Sequence, residues 1–90
     1  MKKAIITVIG KDKVGIIYGV TKILSENKIN ILDISQTILD DMFTMMMIVD
    51  IDGASASFEK ISEVLSEEGK TLGVDVRIQL ESIFESMHRI

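Results

Sequence analysis

Gly10 and Gly15 stand five positions apart, between a β-branched run and a stretch of helical periodicity, in Ile9-Gly10-Lys11-Asp12-Lys13-Val14-Gly15-Ile16-Ile17. Strand, glycine loop and helix start suit an anion, because the first amides of a helix lack intrahelical partners and the helix dipole adds partial positive charge there. A nucleotide phosphate is disfavoured by the residues that follow. The pattern G-x-x-x-x-G-K-[ST] needs a lysine and a hydroxyl after its second glycine, and Ile16 and Ile17 occupy those places. The dinucleotide pattern G-x-G-x-x-G is missing as well. What survives is a place for a small carboxylate, with Gly15 letting a ligand or a neighbouring chain approach the backbone. The plainer reading is that both glycines serve the turn while Asp12 caps the helix. The spacing alone leaves both readings open.

The other candidates for chemistry are weaker. His88 is the only histidine, and a lone histidine without cysteines makes a poor metal site; a solvent-facing place in the C-terminal segment accounts for it. Asp40, Asp41, Asp50 and Asp52 form acidic pairs without the spacing of a calcium loop, and turn chemistry explains them. Met42, Met45, Met46 and Met47 are soft-metal donors by type, but methionine is also an adaptable core filler, and a central strand favours packing. Without cysteine, and with its one histidine in the tail, the chain offers no nucleophile–base pair. The expectation is therefore no metal, no cofactor and no catalytic residue.

These residues need elements to position them. Ala4–Ile9 is short and β-branched, and reads as a strand. Ile16, Ile17, Val20, Ile23 and Leu24 give the stripe of a helix that ends near Asn27-Lys28. Residues 29–39 return to strand chemistry, with Leu32, Ile34 and Ile38 on one parity and Asp33, Ser35 and Thr37 on the other. Asp40-Asp41 makes a tight turn into a strand over Met42–Ile51 whose centre is apolar on both parities, as befits the middle of a sheet. Ser55 or Ser57 caps a second helix with Phe58, Ile61, Val64 and Leu65 as its stripe and Gly69 as its C′ residue. Val74–Leu80 alternates as a strand with one wet face. Ile83, Phe84, Met87 and Ile90 then recur at helical spacing. The order βαββαβ predicts an α+β, ferredoxin-like sandwich: a four-stranded antiparallel sheet with two helices on one face, plus a short C-terminal helix. One domain spans residues 1–90, with its core over 3–80 and a helical tail over 82–90.

Composition narrows the partners. At 90 residues the chain buries only about 60–65% of its unfolded surface, so a second copy would help it. Apolar residues make up 47% of the chain and mean hydropathy is +0.33, which is rich for so small a domain and points to a buried interface. A net charge of −4 without a basic stripe argues against nucleic acid and against an anionic membrane surface. The apolar run after Lys2-Lys3 is too short for a signal peptide, and no segment approaches a membrane span, so cytoplasmic placement is expected.

"GKDKVGI" followed by "NKINILDISQT" resembles the ACT domain, the small ligand-sensing module of amino-acid metabolism. "DDMFTMMMIVDI" is similar to the third strand of the ACT domains in glycine-cleavage regulatory proteins, and the tail "SIFESMHRI" completes a resemblance to free-standing bacterial single-ACT proteins of the UPF0237 type. The likeness runs from about Lys3 to Leu80. It implies a homodimer whose ligands lie between chains, the loop after the first strand facing the start of the second strand of the partner. On that resemblance Asp12 takes the place of a group contacting a ligand amine, Gly15 that of the glycine of close approach, and Asn30 that of the asparagine that contacts the ligand. Val14, Ile16, Ile31 and Leu32 would line the pocket. Val14 stands where proline is common, and Gly10 where some serine-sensing members have histidine. The expected function is a small regulatory module that binds an amino acid or related metabolite and signals to a partner protein. The alternatives are a ligand-free dimerisation subunit that docks a partner through its apolar sheet and tail, and a small enzyme.

Overall fold

The computed structural model describes residues 2–11 and 15–83. Asp12 and Val14 of the expected ligand loop, and residues 84–90 of the expected helical tail, lie outside the described residues. The elements are β1 (Lys3–Lys11), α1 (Ile16–Glu26), β2 (Asn30–Leu39), β3 (Met42–Asp50), α2 (Phe58–Leu72) and β4 (Asp75–Leu80), followed by a helical turn at 81–83. They form one antiparallel sheet in the order β2-β3-β1-β4, as the ferredoxin-like reading requires.

Alternation decides the two faces of the sheet. Ala4, Ile6 and Val8 of β1, Phe43, Met45, Met47 and Val49 of β3, and Val76 and Ile78 of β4 are buried in one cluster with Ile16, Val20 and Leu24 of α1 and Ile61 and Leu65 of α2. The methionines of β3 thus divide by parity. Met45 and Met47 fill the space beneath the helices, whereas Met42 and Met46 stand exposed on the opposite, open face. No charged or polar side chain is buried among the described residues.

Several local expectations shift. The α1 cap is Gly15 rather than Asp12, because a left-handed residue (φ 92°) turns the chain out of the loop immediately before Ile16. Glycine is required there by its backbone angle and not by crowding, since a Cβ would meet nothing within 4 Å. Ile17, expected in the buried stripe, is exposed, and Gly19 takes the buried place beside Ile16 and Val20. Gly69 is not the C′ residue of α2. The helix continues to Leu72 and Gly73 (φ 76°) caps it, donating to the carbonyls of Gly69 and Lys70. Gly69 is instead a point of close approach, where a Cβ would lie 2.7 Å from the Val74 carbonyl oxygen. Of the two candidate caps of α2 it is Ser57 that serves, its hydroxyl accepting from the Lys60 amide at 3.1 Å.

The largest departure concerns β2. A bulge between Ile31 and Asp33 inserts Leu32 as an extra residue, so Ile31, and not Leu32, shares a face with Ile34 and Ile38. The Asp33 carboxylate accepts from the Ile34 amide at 2.8 Å within this irregular stretch. Every residue of β2 is exposed, because it is the edge strand and the helices leave it uncovered on both faces.

Candidate functional site

The sheet register fixes where the site residues lie. Lys3 and Asn30 both pair with Asp50, so β1 and β2 start at the same end of the sheet. Lys11 and Leu39 both pair with Met42, so the loop after β1 and the Asp40-Asp41 turn share the other end. At that turn Asp40 adopts φ 57°, and Lys11 approaches Asp41 at 4.0 Å across the strand ends. From Gly15, α1 runs back for 11 residues, about 16 Å. Its exit is closed by the Asn27 side chain, which donates to the Ile23 carbonyl at 2.8 Å.

Gly15 and Ile16 therefore stand at one end of α1, and Asn30, Ile31 and Leu32 at the other. Within a single chain the structure does not bring these two groups together. Gly15, Asn30, Ile31 and Leu32 are exposed, whereas Ile16 is only 2% exposed and belongs to the core. The polar group missing at Gly10 has a steric cause: a Cβ there would lie 2.6 Å from Val74 Cγ1, so a longer side chain has no room unless Val74 moves. The first amides of α1 open at a cap position with no side-chain hydrogen bond and no acidic residue in the first turn, which leaves the positive end of the helix dipole uncompensated by them.

A second copy would change this geometry. β2 is a ten-residue edge with its outer backbone groups unpaired by the sheet, and it carries exposed Ile31, Leu32, Ile34, Ile38 and Leu39. The other edge, β4, has six residues and presents Asp75 and Arg77, paired at 3.0 Å, to solvent. Charged, short edges resist pairing, and long apolar edges invite it. If two β2 strands pair antiparallel about a two-fold axis, the Asn30 end of one lies beside the Leu39 end of the other. That is also the end at which the partner copy's first helix begins. The sequence carried no signal for the bulge that moves Leu32 out of the alternating face.

A groove unrelated to this arrangement lies between α1 and α2. It measures about 250 Å³, is shallow, and is walled by Lys22, Glu26, Glu67 and Glu68 beside Gly19 and Val64. None of the residues singled out from the sequence as ligand contacts lines it.

Comparison with known proteins agrees with this architecture. A family model described as an ACT domain matches residues 2–79. A UPF0237 protein of Clostridium acetobutylicum is 61% identical over 88 residues, covering 98% of this chain and 99% of that one. An ACT domain protein from Streptococcus pneumoniae superposes with a TM-score of 0.80 at 48% identity, over 93% of this chain and 94% of that one. The fold is also similar, at a TM-score of 0.74 and 19% identity, to that of a candidate glycine cleavage system transcriptional repressor, over 88% of this chain and 45% of that one.

Proposed function

The chain belongs to the ACT domain family, and on that premise we propose that it is a regulatory module which dimerises through β2 and binds an amino acid or related small metabolite in the seam between copies. The observation that carries this reading is the wholly exposed β2 edge, which under two-fold pairing delivers Asn30 of one copy to the helix start of the other. The α1 amides after Gly15 suit the ligand carboxylate. Asp12 stands in the loop for the amine, Asn30 supplies the amide contact, and Val14, Ile31 and Leu32 supply the apolar wall. Ile16 supports the loop from the core. The module acts in the cytoplasm and passes its signal to a separate protein; its role is binding, with neither nucleic acid nor a membrane surface as partner.

Isothermal titration of the purified chain with the common amino acids tests the reading. One or a few should bind with a stoichiometry of one per chain or one per pair. Asn30→Ala should then weaken binding by about 1–3 kcal/mol, the cost of leaving a polar partner unsatisfied. Silence across the panel would leave the second reading, a dimerisation and docking subunit without a ligand. That reading is favoured by one observation, the exposure of Met42 and Met46 on the open face.

A further inference from the structure

Between its bulge and its turn, β2 reads alike in both directions. Ile34-Ser35-Gln36-Thr37-Ile38 is apolar, hydroxyl, amide, hydroxyl, apolar. The sheet register divides these residues between two faces. Ile34, Gln36 and Ile38 oppose the buried Met47, Met45 and Phe43 and lie on the helix side, while Ser35 and Thr37 oppose Met46 and Thr44 on the open side. All five are exposed, and no charge interrupts the run from Ile34 to Leu39. Edge strands ordinarily carry charge or proline to discourage pairing, or a bulge that spoils it, and the bulge of β2 lies before Asp33, outside this run.

Two antiparallel strands related by a two-fold axis meet each other in reverse order, and opposed side chains share a face. One residue must then oppose its own copy, and a run that reads alike both ways is complementary to itself. Resting on the dimer read above, we propose that β2 pairs with β2 of a second copy in the register centred on Gln36. Ile34 stands beside the second copy's Ile38 on the helix side, and Ser35 beside its Thr37 on the open side. The two Gln36 side chains face each other, each with an amide that donates and accepts. The backbone selects the same centre. β2 is regular from Asp33 to Leu39, and Gln36 is the midpoint, so regular backbone meets regular backbone throughout. A centre at Ser35 would oppose Leu39 to Ile31 across the bulge and set Ile34 beside Gln36. A centre at Thr37 would run Ile34 against Asp40, whose φ of 57° belongs to the turn. At each end of the paired stretch Leu39 opposes Asp33, whose carboxylate is occupied by the Ile34 amide. Beyond Leu39 the second copy's Asn30, Ile31 and bulged Leu32 overhang the pairing, at the end of the sheet where α1 begins.

The chain has no cysteine, so single cysteines in the full-length protein report the register without background. Ser35→Cys and Thr37→Cys chains, mixed in equal amounts, exchanged and oxidised, should form the mixed disulfide, and neither variant alone should cross-link to itself. Directly opposed residues lie within disulfide reach, whereas the two copies of Ser35, or of Thr37, would stand about 8 Å apart. Spin labels on Asp33→Cys and on Leu39→Cys should give equal separations between copies, with the Cα atoms about 21 Å apart. A centre displaced by one residue would move these two distances about 7 Å in opposite directions. Self-cross-linking of either variant, unequal label separations, or no mixed disulfide from a parent that sediments as a pair overturns the register and leaves the dimer standing. A parent that sediments as a single chain overturns the dimer and the register with it.

Discussion

Single residues in this protein answer for backbone geometry as often as for contacts. Gly15 has open space around it but a positive φ, so Gly15→Ala should cost about 1–2 kcal/mol through the left-handed backbone alone. Gly69 is the opposite case, with an ordinary helical backbone and a carbonyl 2.7 Å from where a Cβ would sit. Gly69→Ala should cost about 1–3 kcal/mol through overpacking. Urea unfolding of the two variants checks both figures. The Gly15 change should leave the α2–β4 junction unaltered in amide spectra, and the Gly69 change should disturb it. From sequence the two glycines looked alike, each beside a helix end. Only the three-dimensional approach of Val74 to Gly69 separates them, which is why the end of α2 was misplaced by four residues, Gly73 against Gly69.

At the scale of elements, strands and helices were legible wherever burial follows a simple period. β4 alternates as the sequence implied, and the stripe Val20, Ile23 and Leu24 of α1 is buried; β3, apolar on both parities in the sequence, alternates in burial because the helices cover one face. β2 resisted, because an inserted residue in an edge strand leaves no compositional trace and no buried face to betray the slip. Helix capping was half legible: Ser57 was one of two hydroxyls in reach, and Ser57→Ala should lower stability by about 1 kcal/mol in thermal unfolding, with Ser55→Ala nearly neutral. The residues proposed for the site were chosen by type and by resemblance. Their separation to opposite ends of α1 was not legible, since that follows from β1 and β2 running the same way on either side of β3.

At the scale of the whole molecule, the described residues form one sheet and one helix layer, 19 Å through the thinnest dimension. Such a body has two faces to protect, and the described residues supply one pair of helices, both on one of them. Ile34→Lys or Ile38→Lys, each placing a charge on the β2 edge at a side chain already exposed by 44% or 55%, should leave the fold intact. Analytical ultracentrifugation should show these variants as single chains, where the parent is expected to sediment as a pair. A parent that sediments as a single chain at micromolar concentration would remove the seam on which the ligand reading stands.

The bareness of β2 has one more consequence, for a protein diluted or newly translated. If folding is completed only by meeting a twin, mass action makes melting depend on how much protein is present, and dilution itself becomes a mild denaturant. The melting temperature should climb with the logarithm of chain concentration in the parent and lie flat in Ile38→Lys. A cell holding few copies would then keep this protein partly unassembled, and its abundance would set how much of it can respond.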